Sequence, residues 1–320
     1  MKKIGLISFA IFITLSLTVF AAGQKEGKTV IGISKIVTHP ALDAIEQGIQ
    51  DELADEGFTD IEYDLQNANG EITTAASIAT KFKTSGVTVA VGIATPTAQA
   101  LRNTLKDIPV VYSAVTDPIS AGIISSFDKG EHGVAGVSDL TPVKEQIMML
   151  QRIAGIKRLG HIYSSGESNA VVLAEMAKKA CKELGIEFVE STVTNSSEVK
   201  QAAQAIVNKV DGIYVSTDNT VVSALASLAD VAMKAGVPIM SADPSSTEGS
   251  DVLISWGFDY YKVGRATGKV VGEILNGKST EDMPTVFMTD PSDTNLVINL
   301  DVAKKLGITI PEDLLAIANK

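Results

Sequence analysis

The chain has 320 residues with 45% apolar content and a formal net charge of −11, and its mean hydropathy is +0.20. That much apolar material supports packed cores, and at roughly 100 to 200 residues per domain the length suits two of them, which excludes a disordered or fibrous chain. The acidic balance excludes electrostatic binding of nucleic acid or of anionic lipid, and a single cysteine excludes a disulfide within the chain.

The first residues, MKKIGLISFAIFITLSLTVFAAGQKEG, carry Lys2 and Lys3, an uncharged stretch from Ile4 to Gly23, and small residues at Ala21 and Ala22. This is the pattern of an export signal. A signal peptide is expected over residues 1–22, with an uncleaved single-helix anchor of about 20 apolar residues as the alternative. Either reading puts the body outside the cytoplasm, periplasmic or extracellular. No cysteine stands at the cleavage point to carry a lipid.

From Thr29 the pattern alternates strand and helix. TVIGIS (29–34) is a buried-strand run, after which Leu42, Ile45, Ile49 and Leu53 recur at helical spacing until Gly57. IEYDLQN (61–67) predicts the next strand, and Ile72, Ala75, Ala76, Ala79 and Phe82 align along the helix that follows. VTVAVGIA, PTAQALRNTLK and IPVVYSAV continue the alternation. The glycines and Pro142 of GVAGVSDLTPV (133–143) predict a crossing between lobes. A second series starts near Lys157 with KRLGHIYSS, a helix over 168–184, EFVESTVT, a helix over 198–207, GIYVST, a helix over 219–235, and PIMSAD. Alternation over this length predicts an α/β protein, two similar halves with parallel sheets covered by helices. LISWGFDYYKVG (253–264) predicts a second crossing, and PTVFMTD and NLVINLD predict late strands for either lobe.

Several chemical motifs can be set aside. Gly272 to Ser279 (GEILNGKS) satisfies the phosphate-loop spacing, but that loop needs a strand before it and a helix after it. Here a helix-like stripe of Val263, Ala266, Val270, Val271 and Ile274 comes first, and Asn276-Gly277 stops it. The histidines His39, His132 and His161 have no mutual spacing that suits a metal, so no metal and no cofactor is expected. No nucleophile elbow is present, which argues against an enzyme. Cys181 lies in a helix-like run and is expected to be a packing residue.

The strand ends are more informative, because ligands of open α/β sheets gather beyond the carboxyl ends of the strands. Apolar runs stop at Thr95-Pro96-Thr97, at Thr116-Asp117 and at Thr217-Asp218-Asn219, each just before a helix. Singly each is an ordinary cap, and their coincidence on one sheet edge points to a small-molecule site. The loop after the first strand adds Ser34, Thr38 and His39, and the first strand of the second half, with its loop, adds Tyr163, Ser168 and Asn169. Asp243 follows the strand of PIMSAD. Trp256 is read either as core or hinge packing or as a stacking surface for an apolar ligand part. If the halves face each other, threonines and helix N-termini of the first can take a carboxylate, and Asp218, Asn169 and Asp243 of the second can take an ammonium. That chemistry suits an α-amino acid.

HPALDAIEQGIQDEL, ATPTAQALRNTLKDIPVVYSAVTDPISAG, GVSDLTPV, VTNSSEV, KVDGIYVSTDNTVVSAL, GFDYYKVGRATG and LVINLDVAKKLGITIPEDLL closely resemble the ABC transporter substrate-binding proteins of the tryptophan/tyrosine type, from about Val30 to Leu315. The resemblance implies a type I periplasmic-binding-protein fold, two Rossmann-like three-layer lobes joined by a three-strand hinge and closing on a small ligand. It implies an N-terminal lobe of residues 28–138 and 257–289 and a C-terminal lobe of 139–256 and 290–320. It also implies a monomer that delivers an apolar or aromatic amino acid to a membrane permease. The loop Lys35 to His39 lacks the aromatic residue frequent in the family, which argues against tryptophan and leaves room for a smaller apolar amino acid, and DPSSTEGS (243–250) lacks the usual glycine-rich run, which leaves the role of Asp243 open. The alternatives are a protein of the same fold for a purine nucleoside, a sugar or a branched-chain amino acid, and an exported hydrolase. A two-lobed repressor would need an N-terminal DNA-binding module where this chain has its export signal.

Overall fold

The structure, a computed structural model, describes residues 28–316. The expected signal peptide lies outside them. Strands and helices alternate as β1 (Thr29–Lys35), α1 (Pro40–Asp55), β2 (Ile61–Asn67), α2 (Ile72–Ser85), β3 (Val89–Ile93), α3 (Thr95–Thr104), β4 (Val110–Ser113) and β5 (Val134–Ser138). The second series is α4 (Val143–Ala154), β6 (Arg158–Ser164), α5 (Ser168–Leu184), β7 (Glu187–Val193), α6 (Val199–Ile206), β8 (Gly212–Val215), α7 (Asn219–Val222), α8 (Leu225–Lys234), β9 (Ile239–Ser241) and β10 (Ile254–Phe258). The chain closes with α9 (Tyr260–Leu275), β11 (Val286–Phe287), β12 (Thr294–Ile298), α10 (Leu300–Leu306) and α11 (Glu312–Leu315).

Two six-stranded sheets result, ordered β11-β5-β4-β3-β1-β2 and β12-β10-β9-β8-β6-β7. Pairing is parallel throughout except between β10 and β12. Apart from its late edge strand, each sheet runs to one side of its first strand and then to the other, so the order reverses between β1 and β3 and between β6 and β8. Such reversals open a crevice beyond the strand ends, because the flanking loops leave in opposite directions.

Apolar runs become buried strands because helices cover both faces. One core gathers Ile31, Ile33, Ile45, Phe82, Val91 and Leu101 around the first sheet. The second sheet has two, since alternate residues point to opposite faces: Leu159 and Tyr214 join Ile147 and Leu173, while Ile162 and Ile213 join Val199 and Leu228.

The structure redraws several expected elements. GVAGVSDLTPV is not all crossing, since its first half is β5, and the link to α4 is only Asp139 to Pro142. LISWGFDYYKVG shrinks further, with β10 and α9 separated by Asp259 alone, whose carboxylate caps α9 at the backbone N–H groups of Tyr261 and Lys262. The expected helix over 219–235 breaks at Ser223-Ala224 into α7 and α8. In α2 the buried stripe is Ala75, Ile78, Ala79 and Phe82, while Ile72 and Ala76 face solvent. Of the late strands, β11 joins the first sheet and β12 the second.

Candidate functional site

The crevice between the two sheets holds a narrow cavity, with about 340 Å³ of space between atoms when its opening to solvent is counted. It is lined by His39, Ala41, Leu42, Ala94, Ala114 and Thr116 from the segments after β1, β3 and β4, by Asp139 from the link before α4 and by Tyr260 from the first turn of α9. Asn169, Thr217, Asp218, Asn219, Val222 and Asp243 complete it from the segments after β6, β8 and β9. The reversal points of both sheets thus contribute to one cavity.

On the side of the first sheet, β3 ends at Ala94, with φ 74° and ψ 157°, and β4 ends at Ala114, with φ 52°. A side chain at positive φ costs of order 1–3 kcal/mol, and such strain collects at binding sites that hold the backbone in one orientation. Ala94 is the N-cap of α3, and α1 begins after His39; neither helix has a side-chain cap bond. Their leading N–H groups and the positive ends of their dipoles therefore remain for a ligand anion. The Thr95 hydroxyl is buried without a partner, as are both ring nitrogens of His39 and the Ser34 hydroxyl.

On the other side, Glu167 organises the wall. Its carboxylate accepts from Asn219 Nδ2 at 2.5 Å, from Thr220 N at 2.9 Å and from Thr220 Oγ1 at 2.6 Å. Asn169 Nδ2 donates to the Thr217 carbonyl at 3.0 Å. That leaves Asn169 Oδ1 buried and unpartnered, together with Thr217 Oγ1 and Asp243 Oδ2. Asp218 is engaged differently. It caps α7 through Val221 N at 3.0 Å and accepts Ser164 N at 2.6 Å, tying the end of β6 to the end of β8. Two buried amides therefore depend on the Asp218 carboxylate.

The lining contains three aspartates and neither lysine nor arginine. Burial pushes Asp139 up to about 6, although Tyr260 Oη at 3.1 Å and Thr116 Oγ1 at 3.3 Å donate to it. Burial and the nearby Glu167 push Asp218 up to about 8, against the two amides that favour its charged form. Burial raises Asp243 as well, and it lowers His39 in spite of the pull of Asp243. Carboxyl groups whose charged form burial disfavours are returned to that form by a cationic ligand group beside them.

The other expected site residues lie outside this lining. Thr97 turns its hydroxyl onto the carbonyls of Ile93 at 2.6 Å and Ala94 at 3.0 Å, and Pro96 fills the first turn of α3. Asp117 closes its own turn on Ile119 N at 3.1 Å and Ser120 N at 3.0 Å. Thr38 is exposed and accepts from Asn67 Nδ2 at 2.6 Å. Tyr163 points to Glu190 at 3.4 Å. Ser168 opens α5 with an unpartnered hydroxyl. Trp256 is half-buried against the core of the second sheet, where its carbonyl accepts from Gln146 Nε2 at 2.6 Å. Sequence reasoning missed Asp139 and Tyr260, although both sit in segments noted as crossings. Crossing residues face the cleft because the cleft opens beside them.

Among the described residues, no group of three or more His, Cys, Asp or Glu could hold a metal ion, and no helix is long and apolar enough to cross a membrane. Two facing α/β sheets with one cleft between their strand ends define a two-lobed ligand clamp. The family of ABC transporter substrate binding proteins matches residues 30–320, and the chain belongs to it. It is 36% identical over 282 residues to a tyrosine-binding protein of Clostridioides difficile strain R20291, covering 87% of this chain and 81% of that one. Among solved structures, a conserved domain protein from Vibrio cholerae superposes with a TM-score of 0.88 at 40% identity, over 92% of this chain and 99% of that one. A Streptococcus pneumoniae ABC domain in complex with L-Trp reaches 0.87 at 33% identity, over 92% and 99%. The ligand-free, open form of a substrate binding protein with adhesive properties from Clostridium difficile reaches 0.67 at 35% identity, over 89% and 97%.

Proposed function

We propose that this chain is exported and captures an apolar or aromatic α-amino acid in its cleft for delivery to a membrane permease. The observation that carries the ligand class is the composition of the lining, three buried aspartates with no lysine or arginine. Facing the cleft from the second lobe, Asn169 Oδ1, Thr217 Oγ1 and Asp243 Oδ2 are three unpartnered acceptors for the three donors of a primary ammonium. The carboxylate goes to the uncapped N-terminus of α3 and the Thr95 hydroxyl in the first lobe. Ala41, Leu42, Ala94, Ala114 and Val222 leave an apolar surface for the side chain. The tyrosine-binding and L-Trp-bound relatives support this reading. So does the better superposition on the ligand-bound relative than on the open one at similar identity, which describes a closed clamp.

The test is a thermal-shift screen of the mature protein against the twenty amino acids, purine nucleosides and common sugars. A ligand at 100 times its dissociation constant adds about 2.7 kcal/mol of stability. Tyrosine, tryptophan or phenylalanine is expected to give the largest rise in melting temperature. A rise with a sugar or nucleoside and none with any amino acid would refute the proposal.

A further inference from the structure

Among the described residues three non-glycine residues have positive φ, namely Asn69, Ala94 and Ala114. Asn69 is exposed and of a type that tolerates this region. The two alanines are 3% and 6% exposed and line the cavity. Ala94, at φ 74° and ψ 157°, occupies backbone space that is essentially glycine's alone. The two stand side by side, since β3 and β4 end on the register pair Ile93 and Ser113, and Ala94 N donates to the Ser113 carbonyl at 2.9 Å.

The sharp turn at Ala94 is forced by packing. α3 lies so close to β3 that a Cβ on Gly92 would stand 2.6 Å from Ala98 Cα, and Ala94 is the single residue between strand and helix. A methyl at that turn is not forced. At each of the eleven described glycines with positive φ, an added Cβ would meet nothing within 4 Å. The chain thus takes glycine where positive φ points a side chain into open space, and carries a methyl, against backbone strain, at the two such positions that line the cleft. Strain kept at a cavity-lining position points to contact with what fills the cavity.

We infer that the methyl groups of Ala94 and Ala114 form a floor on which the carboxylate end of the ligand rests beside the start of α3, and that the fold gives up stability to hold them there. The inference rests on the amino-acid reading above and assigns two of its contacts. Both alanines also border the core of the first sheet, so the competing role is packing. The two roles predict opposite changes. Deleting a methyl that only packs the core lowers stability. Deleting one held in glycine's region for the sake of a ligand relieves strain that exceeds the chain entropy glycine costs.

The test is a melting curve without ligand, and calorimetric titration of tyrosine, tryptophan and phenylalanine, for the wild type, Ala94→Gly, Ala114→Gly and Gly185→Ala. Each alanine variant is expected to melt above the wild type. It should bind every one of these ligands that the wild type binds at least about fourfold more weakly, the effect of one buried methyl. Gly185→Ala puts a methyl at φ 68° at the end of α5 away from the cleft, and it should melt lower and bind as the wild type does. A lower melting temperature in either alanine variant would overturn the inference for that residue in favour of core packing. Unchanged affinity would overturn it by removing the contact. A matching loss of affinity in Gly185→Ala would also overturn it, because strain far from the cleft would then move binding as well. Binding of none of the three ligands by the wild type would bring down the amino-acid reading, and the carboxylate contact with it.

Discussion

His161 lies wholly inside the second lobe, with its ring 5.7 Å from that of Tyr163 and 5.5 Å from that of Tyr214, and with Nδ1 against the Tyr214 carbonyl at 2.9 Å. Nε2 has no partner, and burial lowers the ring from its ordinary 6.5 to about 4. The unfolded chain therefore takes up this proton near pH 6.5 while the folded chain resists until about pH 4, so acid favours unfolding through that window. The full effect is about 3 kcal/mol. Asp139 and Asp218 act in the opposite sense, because their raised values let the folded chain bind protons first. The contribution of His161 is isolated by comparing the wild type with His161→Phe in denaturant melts between pH 7 and pH 4. The wild type should lose stability relative to the variant as the pH falls, and a constant difference would remove the effect. At this scale the sequence showed that a histidine stands in a strand, but the identity of its ring neighbours depends on which strands lie side by side.

At the scale of elements, the contact between α1 and α9 decides where the returning chain settles. α9 follows β10 of the second sheet, yet it lies on the first lobe because glycines let the two helices approach closely. A Cβ on Gly48 would stand 2.3 Å from the Tyr261 carbonyl oxygen, and one on Gly264 would stand 2.4 Å from that of Ile45. Arg265 pairs with buried Glu52 and, at 2.7 Å, with Asp55 along the same seam. Gly264→Ala should therefore cost about 1–3 kcal/mol, as overpacked contacts do. Differential scanning calorimetry should show a lower melting temperature, and an unchanged one would mean that the helices separate at no cost. The same seam explains the rejected phosphate loop. Gly272 meets Glu56 and Phe58 across the helix pair, and Gly277, at φ 89°, ends α9 instead of cradling a phosphate. Helix periodicity was legible over α1 and α9. Their partnership was not, since it joins residues some two hundred positions apart.

For the whole molecule, rotation of two lobes about short links is the motion that a ligand touching both would bias. Asp139 and Tyr260 lie in or directly beside those links and are bonded to one another, so the hinge itself forms part of the lining. We expect ligand-free protein to sample an open form and tyrosine or tryptophan to close it. Small-angle scattering should show the radius of gyration fall on saturation with ligand, and an identical radius in both states would contradict the clamp. Moving the balance from one per cent closed to ninety-nine requires the ligand to favour the closed form by about 10⁴-fold, which contacts from both lobes can supply.

The sequence by itself determined the alternation of strands and helices, the two halves, the strand ends that carry polar groups and the family, because these depend on local periodicity, turn residues and ordered motifs. Only the tertiary structure decided which strand ends share a cleft. It turned Thr97 and Asp117 back onto their own backbone, assigned Asp218 to a pair of buried amides, and brought Asp139 and Tyr260 to the cavity lining. The physical reason is that a side chain's partners across a cleft follow from strand order and lobe closure, and neither leaves a local pattern in the chain.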